Sequence, residues 1–344
     1  MPAMQESEVA IIGAGPIGLE LAVALKKRNI NYIHFDAKQI GYTISWFAPQ
    51  TQFFSSNDRI GIAGVPLVTP NQAKATREQY LAYLRGVVEQ FDLKINIYEP
   101  IIDIKKNHDG FQLTSQPRGG TARSYKVKKV VLCTGGTDRP RRLNVPGEDL
   151  SHVSHYFDDP HKYFRTDLLI VGGKNSAVEA AIRCHYAGAR VTLSYRKEAL
   201  PEKSIKYWLL PEINGLIKAG RIKAQFGSVP VAITPQQVTL MRGTQRVVVP
   251  ASFVLLLIGY EQDNRLLKVA GVELNGTTNC PVFDEKTMET NIPGIYVAGT
   301  AIGGTQDRYT VFIENCHVHV DRIVAAFTGE QPPGPAKMLE QPES

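Results

Sequence analysis

Two glycine-rich stretches hold the residues whose types and spacing could do chemistry. The first, Gly13-Ala14-Gly15-Pro16-Ile17-Gly18, is a complete G-x-G-x-x-G between an apolar run and an amphipathic one. In such a turn the first glycine permits the tight bend, the second lets a pyrophosphate approach the backbone, and the third packs helix on strand. The helix start then offers unpaired N–H groups and a partial positive charge to phosphate. Asp36 closes the next apolar run, 23 positions after Gly13, where a carboxylate can take the ribose hydroxyls of an adenine dinucleotide. Gly13, Gly15, Pro16, Ile17, Gly18, Asp36 and Ala37 are the expected contacts of one dinucleotide. A glycine turn without a ligand is the plainer alternative.

The second stretch, Gly172-Gly173-Lys174-Asn175-Ser176-Ala177, departs from that fingerprint. Lys174 stands where the second glycine belongs, so its side chain must point away or contact phosphate itself. Aligning the two stretches places Tyr195 at the position of Asp36, with Arg196 next. A missing carboxylate beside a guanidinium favours a 2′-phosphate, and hence NADPH over NADH. Arg196 as a solvated strand-end residue is the alternative. Gly172, Gly173, Lys174, Asn175, Ser176, Tyr195 and Arg196, together with Gly259 and Tyr260, are the expected NADPH contacts.

The elements that must position these residues repeat. Residues 8–36 and 167–196 each read as strand, glycine turn, helix, strand, with buried stripes at helical spacing (Leu19, Ala22, Val23 and Leu25; then Val178, Ala181 and Ile182). Asn29 and Gly188 end the two helices. Two βαβ units imply an α/β protein with two Rossmann-like dinucleotide-binding domains. KKVVLCTGG and IPGIYVAGT are apolar strands ending in glycine, on either side of the second repeat. The second domain, residues 150–280, is therefore expected as an insertion in a first domain made of 1–140 and 281–330. Residues 310–328 read as a closing helix, and the Pro-rich 331–344 as a disordered tail.

Composition narrows the class. Of 344 residues 43% are hydrophobic and 21% charged, an ordinary globular mixture, and the net charge of +6 comes from scattered rather than clustered cations. That surplus suits anionic small ligands and excludes a basic nucleic-acid stripe. The longest apolar run, Phe253 to Ile258, is too short to span a bilayer, and the N-terminal run lacks the basic and apolar regions of an export signal. Cys133, Cys184, Cys280 and Cys316 form neither a C-x-x-C pair nor a zinc pattern, which points to a reducing cytoplasm and to no metal.

Thr290-Asn291-Ile292-Pro293-Gly294-Ile295-Tyr296-Val297-Ala298-Gly299-Thr300 resembles the C-terminal FAD signature of two-dinucleotide-binding-domain flavoproteins, T-x-x-P-G-[IV]-[YF]-[AV]-A-G-D. With the strand end Thr134-Gly135-Gly136, it makes the chain similar to thioredoxin-reductase-like flavoproteins along nearly its whole length. The runs Gln52-Phe53-Phe54-Ser55-Ser56, Pro146-Gly147-Glu148-Asp149-Leu150, Gly172-Gly173-Lys174-Asn175-Ser176, Ser204-Ile205-Lys206 with Trp208 and Pro211, Glu289-Thr290-Asn291 and Phe312-Ile313-Glu314-Asn315 resemble the bacillithiol disulfide reductase (YpdA) family more closely. The resemblance implies FAD at the first turn, with Gln52, Ser55, Thr134, Gly135, Gly299 and Thr300 added to its contacts, and NADPH at the second. Thr300 replaces the signature's aspartate. The family's proposed redox cysteine falls at Ile17, so the flavin half of the resemblance carries over and the disulfide-reducing half does not.

The expected activity is hydride transfer from NADPH to FAD and on to a low-molecular-weight disulfide, a quinone or a ferredoxin-like acceptor. The expected partners are that small molecule or small redox protein and further copies of the chain, with no nucleic acid and no membrane. Cys316, on the closing helix, is the one candidate catalytic thiol; Cys133 and Cys184 read as core, and Cys280 as an exposed loop residue. A flavin monooxygenase is the first alternative, although its F-x-G-x-x-x-H linker motif is not matched by LSHVSHYFDDPHKYF. A non-enzymatic flavin-bound sensor is the second.

Overall fold

A computed structural model describes residues 5–306 and 309–331. It divides the chain into two compact units: one of residues up to 45, 55–139 and from 260 onward, the other of 46–54 and 140–259. The insertion thus ends at Gly259, some twenty residues before 280. The apolar strand Phe253–Leu256 is the last in sequence among the described residues to join the second unit's five-stranded sheet. All but the first residue of the Pro-rich tail lies outside the described residues.

In the first unit, Gln5–Ile12 is flanked by parallel partners, Tyr32–Phe35 on one side and Arg123–Leu132 on the other. Ile295–Val297 pairs in parallel with Arg123–Leu132, and Ile101–Asn107 and Gly110–Ser115 extend the same seven-stranded sheet as an antiparallel hairpin. The inner strands carry Ala10, Ile12, Val130, Leu132, Ile295 and Val297, all buried, so they read as apolar runs rather than alternating ones. Helix Pro16–Lys27 starts with proline at its first position, where no N–H is needed, and ends at Arg28 before Asn29, whose φ is 55°. The closing helix is His317–Thr328, preceded by a short 3-10 turn Ile313–Asn315.

The second unit holds a five-stranded parallel sheet in the order Lys223–Phe226, Arg190–Tyr195, Asp167–Val171, Phe253–Leu256, Val153–Ser154. A three-stranded antiparallel meander over 228–250 packs Val238, Leu240 and Val249 against Leu169, Val171, Val254 and Leu256. Helix Asn175–Tyr186 follows the central strand and ends before Gly188, at φ 90°. In each sheet the glycine turn leaves the C-terminal end of a central parallel strand, which is where doubly wound sheets bind ligands.

The segment 46–54 lies within the first repeat's half of the sequence but packs in the second unit. Phe54 stacks on Trp208 with ring centroids 5.5 Å apart, and Trp46 meets Tyr156 edge-on at 5.1 Å. Lys206 Nζ donates to the Gln52 carbonyl at 3.0 Å, and Arg183 donates to that of Pro49 at 2.6 Å. The runs around Gln52 and Lys206, far apart in sequence, form one structural feature.

Candidate functional site

The first glycine turn is held by backbone geometry before any ligand is considered. Gly13 has φ 112°, and a Cβ there would lie 2.2 Å from the Cys133 carbonyl oxygen. A Cβ at Gly18 would lie 1.9 Å from the Gly13 carbonyl oxygen. Both glycines are therefore required by the protein's own packing. Gly15 differs: a Cβ there would meet nothing within 4 Å. Its smallness serves something that approaches from outside.

The amides of Gly15, Ile17 and Gly18 have no acceptor among the described residues, and Pro16 has no N–H to satisfy. Asp36 sits beside them. Its Oδ2 accepts from Ala14 N at 2.6 Å and its Oδ1 from Lys38 N at 2.7 Å. Burial raises the Asp36 carboxyl above its ordinary value, and the two N–H groups pull the other way. Thr134 Oγ1 is buried and has no partner among the described residues. Free amides, an open glycine, a carboxylate and an orphan hydroxyl fit an adenine dinucleotide whose pyrophosphate lies on the helix start.

The C-terminal signature comes to the same place. Gly299, at φ 71°, faces Ile17, whose Cβ would be 3.3 Å from a Cβ on the glycine, and Gly136 abuts the Thr300 carbonyl. Ile17 is buried, whereas Ala37 is exposed. Ser55 is buried in the first unit. Gln52 belongs to the second unit, where its carbonyl accepts from Lys206 Nζ.

Three residues that the motifs do not mark hold these segments together. Gln262 is buried and its Nε2 donates to both Gly135 O at 3.0 Å and Ala301 O at 2.8 Å, tying the two signature strands. His319 is buried, and its Nδ1 accepts from Gly299 N at 3.1 Å. Burial, with Arg322 and His317 adding to it, lowers its pKa to about 4, so the ring is neutral. His34, in the middle of the apolar strand Tyr32–Phe35, places Nε2 3.0 Å from the Gly13 carbonyl. Only His34 had a readable signal, a polar residue inside a buried run; the roles of the other two depend on long-range contacts.

The candidate thiol Cys316 is fully buried, and burial, with Cys133 and Glu20 nearby, holds it well above the ordinary thiol range. Burial likewise raises Cys133 and Cys184 to about 12. None of the three offers a thiolate near neutrality, so the reading of Cys316 as a flavin-contacting thiolate has no support in its surroundings. Cys280 is partly exposed, but its Sγ lies 3.2 Å from both Gly303 O and Thr278 Oγ1. Next to Cys316, His317 places Nδ1 2.7 Å from Glu20 and Nε2 2.8 Å from the Arg59 carbonyl. Burial alone would lower its pKa, but Glu20 and that carbonyl outweigh burial and raise it.

The second turn is built the same way with different chemistry. Gly172 has φ 144° and is hemmed in by Leu257 O and the Ala177 Cβ. A Cβ at Gly173 would lie 2.4 Å from the Tyr195 ring, so Tyr195 is a buried wall of the turn. The amides of Asn175, Ser176 and Ala177 lack acceptors among the described residues, while Asn175 Oδ1 accepts from Lys206 N at 2.7 Å. Lys174 and Ser176 are exposed, and Arg196 is exposed with no acidic partner among the described residues. Gly259, at φ 101°, closes the unit against Arg141, and Tyr260 begins the return to the first.

The chain builds two dinucleotide turns, each at the end of a central parallel strand of its own sheet. It belongs to the pyridine nucleotide-disulphide oxidoreductase family, whose model matches residues 10–299. It is 35% identical over 94% of its length, and 98% of the relative's, to bacilliredoxin reductase Bdr of Bacillus subtilis. It is 26% identical to ferredoxin–NADP reductase of Ignicoccus hospitalis over 85% of this chain and 89% of that one. The bacillithiol disulfide reductase Bdr (YpdA) structure from Bacillus cereus superposes with a TM-score of 0.90 at 36% identity, covering 94% and 99% of the two chains. The chain is thus a NADPH-dependent flavoprotein oxidoreductase with FAD and NADPH as cofactors. No helix among the described residues is long and apolar enough to cross a membrane.

Proposed function

We propose that the first turn holds FAD, the second binds NADPH, and the reduced flavin hands its electrons directly to a ferredoxin-like acceptor. When bound, the flavin would take a hydride from the nicotinamide and release its two electrons one at a time to two one-electron acceptors, the proton going to solvent. The protein's residues bind and orient. The free amides of Gly15, Ile17 and Gly18 take one pyrophosphate, and those of Asn175, Ser176 and Ala177 the other. Asp36 takes the FAD ribose, and Arg196 pairs with the 2′-phosphate of NADPH.

The observation that carries the choice of acceptor is the state of the thiols. By the resemblance, Ile17 falls where the family's proposed redox cysteine stands, and Cys133, Cys184 and Cys316 are buried with raised pKa values. Dithiol relay therefore lacks its nucleophile, whereas direct electron release from the flavin needs none. The kinship with bacilliredoxin reductase favours a second reading, a disulfide acceptor reduced without a protein thiol. An acceptor panel of ferredoxin, bacillithiol disulfide, bacilliredoxin disulfide and quinones, run with NADPH on the yellow protein, decides between them. Turnover with a disulfide that exceeds turnover with every ferredoxin tried would overturn the first reading.

A further inference from the structure

We infer that His34 is a positioning residue for FAD: with Asp36 it clamps a single peptide unit, Gly13–Ala14, and makes the first turn a site that retains its cofactor. The inference rests on the assignment of FAD to that turn. His34 is fully buried, and its Nε2 lies 3.0 Å from the carbonyl oxygen of Gly13. A carbonyl only accepts, so Nε2 carries the proton and donates; Nδ1 is bare and has no partner among the described residues. At the other end of the same peptide, Ala14 N donates to Asp36 Oδ2 at 2.6 Å. In the peptide just before, Ile12–Gly13, Gly13 N donates to the Phe35 carbonyl at 2.8 Å. His34 and Asp36 thus set the tilt of one peptide plane, the Phe35 carbonyl holds the peptide before it, and that plane sets the direction of the free amides that follow.

The second unit supplies an internal control. There Gly172 N donates to the Ser194 carbonyl at 3.0 Å, the counterpart of the Gly13–Phe35 bond. That register places Leu193 where His34 stands and Tyr195 where Asp36 stands. Neither grips the Gly172–Gly173 peptide with a side-chain hydrogen bond; Leu193 is apolar and the Tyr195 ring lies flat on Gly173. A turn fixed in advance loses less entropy when the ligand arrives, so the clamped turn binds tightly and the unclamped one more loosely. That division suits an enzyme whose flavin stays while its nicotinamide nucleotide exchanges at every turnover.

The test uses the holoprotein and two variants, His34→Leu, which copies the second turn, and His34→Gln, which keeps an N–H donor. FAD dissociation is read by recovery of flavin fluorescence and by reconstitution of stripped protein; NADPH affinity and the thermal midpoint of the stripped protein are read alongside. His34→Leu should weaken FAD binding about tenfold, equivalent to ~1.4 kcal/mol, with NADPH affinity unchanged, and His34→Gln should recover most of the loss. Wild-type FAD affinity in His34→Leu overturns the inference. So does equal impairment of both variants together with a lowered midpoint of the stripped protein, since His34 would then be core packing alone. A wild-type protein that never binds FAD defeats the cofactor assignment instead, an outcome visible before any variant is made.

Discussion

The two glycine turns solve one geometric problem in different ways. Both bend at a glycine with φ above 100° and both leave the first helical amides free. The first packs glycine on glycine, Gly18 against Gly13, and surrounds the bend with His34 and Asp36. The second tolerates Ala177 at the close-packing position and lines the bend with the Tyr195 ring. A polar clamp orients amides, while an aromatic wall only fills space. The same βαβ unit can therefore be tuned for retention or for exchange by two residues at the end of its second strand.

The comparison breaks most sharply at the glycines. Gly18→Ala should cost about 3 kcal/mol or more, because its Cβ would enter the Gly13 carbonyl and overpack the helix on the strand. Gly15→Ala points into open space, so the stripped protein should keep its thermal midpoint within about 0.5 kcal/mol. Its FAD affinity should nonetheless fall roughly ten- to a hundredfold, or 1.4–2.8 kcal/mol. Calorimetry of stripped and loaded protein checks both; a destabilised Gly15→Ala apoprotein would place that glycine among the packing ones.

Acid should separate the turns next. Burial lowers the folded pKa of His34 and of His319 to about 4, below the ordinary 6.5. The unfolded chain then takes up these protons first, so the two rings cost no stability above pH 6.5 and a few kcal/mol as pH falls toward 4. Both rings brace the first unit, so flavin release should precede loss of NADPH binding in an acid titration. Simultaneous loss of both would mean the histidines do not govern the first turn. His317, whose folded pKa is raised, acts oppositely: its contribution is present at low pH and is lost as pH rises through that value.

Arg196→Ala should then lower NADPH affinity by about 1.5–3 kcal/mol while leaving NADH use unchanged, since the charged contact is to the 2′-phosphate. Steady-state kinetics with the two nucleotides measures the ratio; a wild type indifferent to the phosphate removes Arg196 from the site. The smallest effect is expected from the thiols. Native protein should react with an aromatic disulfide reagent at Cys280 alone, and denatured protein at Cys133, Cys184, Cys280 and Cys316. Replacing all four by Ala should leave turnover with the best acceptor within about threefold, even where the core loses some stability. Loss of turnover in a folded, yellow variant would return a cysteine to the mechanism.

Much of this was open to inspection in the linear chain. Glycine spacing, the strand and helix periods around it, Asp36 and the arginine after Tyr195 depend on neighbours close in sequence, and they specified two βαβ units and the fold class. The position of Ile17 and the wide scatter of cysteines already argued against a dithiol. What lay beyond reach depended on contacts between distant segments. The chain re-enters the first unit at Tyr260, after Phe253–Leu256 has taken its place in the second unit's sheet, and sheet order is not written in any one strand. Residues 46–54 join the second unit because Lys206 and Trp208 capture them, a grouping that no local motif announces. The burial that raises the Cys316 pKa, the Gln262 amide between two strand ends, and the His34 grip on one peptide each arise from folding around a shared core. Local pattern decided which turns exist; tertiary packing decided which groups are free to bind, because burial and hydrogen-bond partners are properties of the assembled chain.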